Sequence, residues 1–254
     1  MHAIYEPRGA ALEYAPLAVN LYRGCSNGCA YCYAPACLRM SRRAFDAPAV
    51  RPGIIEAIAE QAPRLAGRGP ILLCFTCDPY QALNDLVGLT GQAVTAIHAA
   101  KCQTRLLTKR PRAGLDMDGP LLRRAGVDFG VSLSWRDDRL RACWEPRAES
   151  VQDRLIAVAE AGRMGLRTWV SIEPVIEPGE ALAAIDALAD LADVLKIGKL
   201  NHLALAAEID WRAFLLAALR LLKDRNCGYY VKADLWRAAA LGAGDFPRER
   251  PCRR

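Results

Sequence analysis

Pro70-Ile71-Leu72-Leu73-Cys74-Phe75-Thr76-Cys77 is a short apolar run that ends in Asp78-Pro79-Tyr80-Gln81. An apolar stretch of this length, bounded by turn-forming residues, reads as a buried strand. The stretch near 90–101 reads as a helix, and 103–108 as a second strand. Strand, helix, strand with short connections is a βαβ unit, the building block of a parallel sheet. Working outward, the same alternation recurs. Strands are expected near 16–22, 127–134, 167–173 and 193–198, with Gly228-Tyr229-Tyr230-Val231-Lys232 as a seventh. Helices are expected near 36–45, 51–66, 118–125, 150–164, 178–191 and 207–225. Ala181-Leu182-Ala183-Ala184-Ile185-Asp186-Ala187-Leu188 shows the period: apolar residues fall three and four apart, as on one helix face. Six or seven such units suit a partial (β/α)6 barrel of TIM-like type. A doubly wound open sheet satisfies the same alternation.

The chain has 254 residues, 52% of them hydrophobic and 24% charged, which suits a globular protein with a sizeable core and excludes a disordered chain. No uncharged apolar run approaches the roughly 18 residues of a membrane span. Met1-His2-Ala3-Ile4-Tyr5-Glu6-Pro7-Arg8 carries no apolar signal core, so the expected location is cytoplasmic, without membrane association. One domain over 1–254 is expected, with a core barrel over about 16–200 and a helical extension with a basic tail over 201–254. The tail Arg248-Glu249-Arg250-Pro251-Cys252-Arg253-Arg254 is expected to be mobile. Lys and Arg number 34 against 28 Asp and Glu, a net charge of +6, and 28 of the cations are Arg. That excess is compatible with an acidic partner without requiring one.

Chemistry in parallel α/β folds gathers at the carboxyl ends of the strands. The most informative such end is Gly24-Cys25-Ser26-Asn27-Gly28-Cys29-Ala30-Tyr31-Cys32-Tyr33. Three of the ten cysteines lie here in C-x3-C-x2-C spacing, with an aromatic residue before the third. Structural zinc and ordinary electron-transfer clusters want four protein ligands. Three thiolates leave one iron of a 4Fe–4S cluster open to an outside ligand. The competing reading makes Cys37 a fourth ligand to zinc or to a simple redox cluster.

This spacing resembles the hallmark of the radical S-adenosylmethionine superfamily. The neighbouring words Tyr5-Glu6-Pro7, Glu13-Tyr14-Ala15-Pro16, Asn20-Leu21-Tyr22-Arg23-Gly24, Tyr33-Ala34-Pro35 and Asp78-Pro79-Tyr80-Gln81 resemble its spore photoproduct lyase-like branch, also labelled DNA repair photolyase-like. The resemblance spans nearly the whole chain and implies a partial (β/α)6 barrel of the radical SAM type. It implies an iron–sulfur enzyme, of lyase or repair type. A 4Fe–4S cluster on Cys25, Cys29 and Cys32 would cleave S-adenosyl-L-methionine reductively, giving a 5′-deoxyadenosyl radical that takes hydrogen from substrate. A low-potential electron donor is implied as a partner, with nucleic acid among the candidate substrates.

Carried over residue by residue, Tyr31 belongs to the cofactor-binding loop. Thr76 and Asp78 stand where the family binds the cofactor's ammonium, and Lys109 with Ser132 where it binds the carboxylate. Ser134 and Glu173 are ribose candidates, and Lys196, Lys199 and Asn201 are candidate substrate groups at the sixth strand end. Cys74 and Cys77, three apart, point to opposite faces if both lie on a strand, which argues against joint ligation. Spore photoproduct lyases place a hydrogen-donating cysteine near this strand end. Here Phe75 is closer to that position than either cysteine, so thymine-lesion repair is not carried over. His98 and His202 read as ordinary polar residues, and Trp135, Trp144 and Trp169 as core or rim. The non-enzymatic alternatives are a zinc or cluster protein completed by Cys37 and a nucleic-acid-binding module using the Arg excess.

Overall fold

The computed structural model describes residues 2–242 and 246–252. A 3-10 turn at Gly9–Glu13 leads into β1 (Leu17–Val19) and β2 (Tyr22–Arg23), followed by α1 (Ala34–Cys37), α2 (Arg42–Phe45) and β3 (Ala49–Val50). Next come α3 (Ile54–Gln61), β4 (Ile71–Leu73), α4 (Ala82–Val87), α5 (Leu89–Ala99) and β5 (Thr104–Thr108). The chain continues with α6 (Pro111–Arg124), β6 (Asp128–Ser132), α7 (Asp138–Trp144), α8 (Val151–Arg163) and β7 (Arg167–Ile172). It closes with α9 (Pro178–Leu188), β8 (Val194–Ile197), α10 (Trp211–Asp224), β9 (Gly228–Val231), α11 (Ala233–Ala238) and β10 (Glu249–Arg250).

The main sheet runs β1-β4-β5-β6-β7-β8-β9-β10, parallel throughout except for β10, which pairs antiparallel to β9. All seven expected strands are present. The sheet curls into a partial TIM-like barrel: Ala18 on β1, Leu72 on β4 and Trp169 on β7 share one interior cluster. In a flat sheet, β1 and β7 would stand four strands apart.

Alternation along the strands divides the side chains into two sets. Leu106, Phe129, Val131, Val170, Ile172, Leu195 and Ile197 are fully buried in the larger core cluster, which also takes in side chains of the flanking helices. Each is worth roughly 1.5–3 kcal/mol of burial. The opposite set, including Leu107, Ser132 and Ser171, faces the barrel interior and lines its cavity. Trp169 fits inside because its partner on β6 is Gly130; a Cβ there would lie 2.3 Å from the indole.

Local signals explain the helices. In α10, Trp211, Phe214, Leu215, Ala218, Leu219 and Leu222 are buried at three- and four-residue spacing, and Asp210 Oδ1 caps the Ala213 N–H at 2.9 Å. Ser150 caps Asp153 at the start of α8 in the same way. The expected helix at 36–45 is two short ones. Arg39 takes a positive φ of 51° after α1, and Ser41 caps a fresh start. The expected helix at 118–125 begins earlier, at Pro111, a favoured first-turn residue. Three short helices, α4, α7 and α11, carry too few turns for a period to show in the sequence.

The sheet continues past residue 200 through β9 and β10, so the expected helical extension also contains strand. The tail expected to be mobile is pinned in part. Glu249–Arg250 pairs with β9, and the Arg250 guanidinium donates to the carbonyls of Leu222 and Cys227. Arg253 and Arg254 lie outside the described residues. Among those residues, no helix is long and apolar enough to cross a membrane.

Candidate active site

The carboxyl ends of the strands open onto a cavity of about 420 Å³. Cys25, Cys29 and Cys32 line it, together with Tyr31, Thr76, Asp78, Lys109, Ser132 and Glu173. Nine of the ten expected site residues therefore share one chamber. The exception is Ser134: it lies beyond the end of β6, is buried, and does not reach the cavity wall. Its hydroxyl has no hydrogen-bond partner.

The cysteine loop is held from several sides. Gly24 has φ +91°, and a Cβ there would fall 2.4 Å from the Phe45 carbonyl, which accepts the Cys25 N–H at 2.9 Å. Gln81 bridges the loop, accepting the Ser26 N–H at 2.8 Å and donating to the Gly24 carbonyl at 3.3 Å. Asn20 Oδ1 accepts the N–H groups of Phe75 and Thr76, tying the end of β4 to the segment after β1. Asp78 is fully engaged. One carboxylate oxygen accepts from Tyr80 N and Thr108 Oγ1, the other from Asn27 Nδ2 and Lys109 N, all within 2.7–2.9 Å. It joins the loop to the ends of β4 and β5, a positioning role rather than the free acceptor that the sequence suggested.

Lys109 and Ser132 meet as expected, Nζ to Oγ at 2.6 Å. Behind them lies a carboxylate that the sequence reading missed. Glu145 is 1% exposed and accepts from Arg154 at 2.6 Å and from the Tyr31 hydroxyl, with Lys109 Nζ at 3.3 Å. Burial alone would raise the Glu145 carboxyl. Arg154 and Lys109, with hydrogen bonds from Tyr31 and Arg154, instead hold it at about 2. Tyr31 is pushed well up by burial and by the facing Glu145 charge, so its proton stays on. No motif marks Glu145 or Arg154; Glu145 ends α7, a helix that the sequence did not reveal, and Arg154 lies on α8.

Across the chamber stands a second carboxylate group. Glu173 receives both bonds of Lys232 Nζ at 2.9 Å and the hydroxyl of Tyr14, which also contacts Ser171 Oγ at 3.2 Å. Lys232 was missed as well; it follows β9 and precedes α11.

Lys199, Asn201 and His202 line the cavity, and the His202 ring lies 5.8 Å from that of Tyr33. Lys196 does not line it. Its ammonium lies inside the barrel, 4.7 Å from the Tyr14 ring centroid, 5.0 Å from Tyr230 and 5.5 Å from Trp169. Burial, with Arg105 and Lys232 nearby, lowers it to about 8. Cys74 and Cys77 correct the strand argument. β4 ends at Leu73, so the turn after it brings both thiols onto the cavity wall, within hydrogen-bonding reach of each other.

Cys25, Cys29 and Cys32 are the donors that a cluster bound at three points would use. Cys25, Cys29 and Cys32 border one chamber, while Cys37 is exposed on α1 and outside it. Among the described residues, no three His, Cys, Asp or Glu side chains converge on a single-ion site. Burial raises all three thiols, Cys29 to about 12, so a strongly electropositive group is needed to hold them as thiolates.

No protein-family model matches the chain. Uncharacterized proteins of Mycobacterium tuberculosis and Mycobacterium bovis are 29% identical over 180 residues, 67% of this chain and 52% of theirs. The chain thus spans about half the length of the curated relatives it matches. A variant of spore photoproduct lyase superposes with a TM-score of 0.67 at 16% identity, covering 86% of this chain and 76% of that one. Another variant, with bound AdoMet and dinucleoside spore photoproduct, gives 0.59 at 20% identity over 83% and 61%. SuiB of Streptococcus suis bound to S-adenosylmethionine gives 0.63 at 14% identity over 88% and 52%. Both neighbours are radical S-adenosylmethionine enzymes, and the chain has their fold.

Proposed function

We propose that the chain is a radical S-adenosylmethionine enzyme of the spore photoproduct lyase-like branch, acting by hydrogen abstraction on a substrate held in the chamber. The observation that carries this reading is the shared chamber: three cysteines in C-x3-C-x2-C spacing line one cavity with Lys109, Ser132 and Glu173, without Cys37. In this reading Cys25, Cys29 and Cys32 hold a 4Fe–4S cluster, which supplies the electron for reductive cleavage of S-adenosylmethionine.

The protein's own contribution is positioning and charge. Lys109, braced by Glu145 and bonded to Ser132, presents a fixed cation to the cofactor's carboxylate. Asp78 sets the loop and the β5 end relative to each other, leaving Thr76 and backbone carbonyls of that turn for the ammonium. Glu173, oriented by Lys232 and Tyr14, offers carboxylate oxygens to ribose hydroxyls. Tyr14, Tyr33 and Phe75 supply apolar lining that excludes water. Substrate enters beside Lys199, Asn201 and His202. A cytoplasmic setting, where thiols stay reduced, suits this chemistry.

The test is anaerobic reconstitution with iron and sulfide, followed by dithionite and S-adenosylmethionine. Release of 5′-deoxyadenosine, lost in the Cys25→Ala, Cys29→Ala and Cys32→Ala chains but kept in Cys37→Ala, is the expected result. A colourless protein that binds zinc through Cys37 rejects it.

A further inference from the structure

We infer that the arginine-bearing arch formed by α1 and α2, together with Arg147, is the docking face for an acidic protein that carries single electrons. The inference rests on the radical-enzyme reading for the identity of the electron's destination, but the surface is argued from its own residues. From Tyr14 to Phe45 the chain contains no Asp or Glu and four arginines, Arg23, Arg39, Arg42 and Arg43. The structure sets this stretch against the outside of the cysteine loop. Cys25 N–H bonds to Phe45 at the end of α2, and Arg42 Nη1 donates to the Cys29 carbonyl at 2.8 Å. Arg147 reaches the same place from the other side: its N–H bonds to the Asn27 carbonyl at 3.3 Å. The only acid among them is Asp46, shared by Arg42 at 2.9 Å and Arg147 at 3.7 Å, so the face keeps a net positive charge.

Two features turn this from a charged patch into a fitting interface. Arg23, Arg39 and Arg43 are exposed, with no ion pair among the described residues, and Leu38, the residue that ends α1, is 36% exposed. An exposed leucine next in sequence to an exposed arginine suits a protein–protein contact, whereas phosphate tracking needs no apolar residue. The location matters as well. In the radical-enzyme reading, cofactor and substrate would occupy the chamber that the loop borders, which leaves the loop's other side for an external electron carrier. There, Arg42 joins solvent-exposed surface directly to the backbone of Cys29. Steering of an anionic carrier by such a face raises its association rate at low salt.

The experiment uses a plant-type ferredoxin, a small acidic iron–sulfur protein, as the probe. Its oxidised form is titrated calorimetrically into the chain, both cluster-free and reconstituted. Its reduced form is mixed with reconstituted chain in a stopped-flow instrument. For Arg39→Glu/Arg43→Glu, ferredoxin affinity and the rate of cluster reduction should both fall about tenfold or more at low ionic strength, a difference that added salt removes. Reduction by the methyl viologen radical cation should not slow. Arg39→Lys/Arg43→Lys should keep most of the ferredoxin binding. Equal ferredoxin affinity in the wild type and the Glu variant overturns the inference, as does equal loss in the Lys variant. A short DNA oligonucleotide bound through these arginines in place of ferredoxin overturns it too. If the chain takes up no reducible cluster, the enzyme reading fails, while calorimetry on the cluster-free chain still decides the surface.

Discussion

The two walls of the chamber are built on the same plan and differ in one respect. On the cysteine side, Glu145 meets Tyr31, Lys109 and Arg154; on the far side, Glu173 meets Tyr14 and Lys232. Each wall joins a tyrosine and a carboxylate to at least one cation. Glu145 lies behind the wall at 1% exposure, matched by two cations, whereas Glu173 lines the cavity. A carboxylate closed off by protein partners is a brace. One with a face toward the chamber remains available to a ligand. The difference separates residues that hold the site from residues that touch what enters it.

The comparison can be broken most directly at Glu145. Replacing it with Ala leaves Arg154 and Lys109 buried beside each other without a counter-charge. Urea denaturation of Glu145→Ala should show a loss of about 3–5 kcal/mol. Replacing Glu145 and Arg154 together by apolar residues should recover much of that. If Glu145→Ala costs no more than a surface substitution, the brace is not one.

Acid titration sharpens the same point. Glu145 is held at about 2, below its ordinary 4.5. Its contribution is therefore complete above pH 4.5 and drains away as pH falls toward 2, on the order of 3 kcal/mol in all. In Glu145→Gln this acid limb should flatten. The barrel floor shows the opposite sign. Lys196 is lowered to about 8 from 10.5, so the unfolded chain holds its proton more tightly between those values. Stability should rise as pH increases from 8 toward 10, by up to about 3 kcal/mol, and Lys196→Met should remove the rise.

Glu173→Gln addresses the far wall. One buried charge pair with Lys232 is weakened but the side chain still bonds, so the stability cost should be about 1–2 kcal/mol, smaller than at Glu145. S-adenosylmethionine affinity, read by calorimetry on the reconstituted chain, should fall about tenfold. Equal stability losses at the two carboxylates, with unchanged affinity, would erase the distinction. The smallest effect is expected at Ser134, whose buried hydroxyl satisfies nothing. Ser134→Ala should shift stability by less than about 0.5 kcal/mol or raise it slightly, with cofactor affinity unchanged.

Legibility followed the range of the interaction. The seven strands were readable because each buries a short apolar run between turn residues, and the cysteine loop was readable because its three thiols sit within eight residues. Thr76, Lys109, Ser132 and Glu173 followed from the rule that strand ends gather. Glu145 was not readable: it lies 114 residues from Tyr31 and 36 from Lys109, on the far side of a seven-residue helix. Lys232 was seen as the end of a strand but not as a partner of Glu173. The argument that put Cys74 and Cys77 on opposite faces assumed a strand that stops at Leu73.

The order of residues along the chain determined that this protein is a parallel α/β fold with a three-thiol loop at the first strand end. Both features arise from short-range pattern: period, punctuation and spacing. Only the folded chain decided which charges neutralise which, that Asp78 spends all its acceptors on protein donors while Glu173 keeps a face to the cavity, and that Arg42 and Arg147 both bond to the backbone of the cysteine loop. Those outcomes depend on curling the sheet, which brings together side chains separated by many strands and leaves no trace in local sequence.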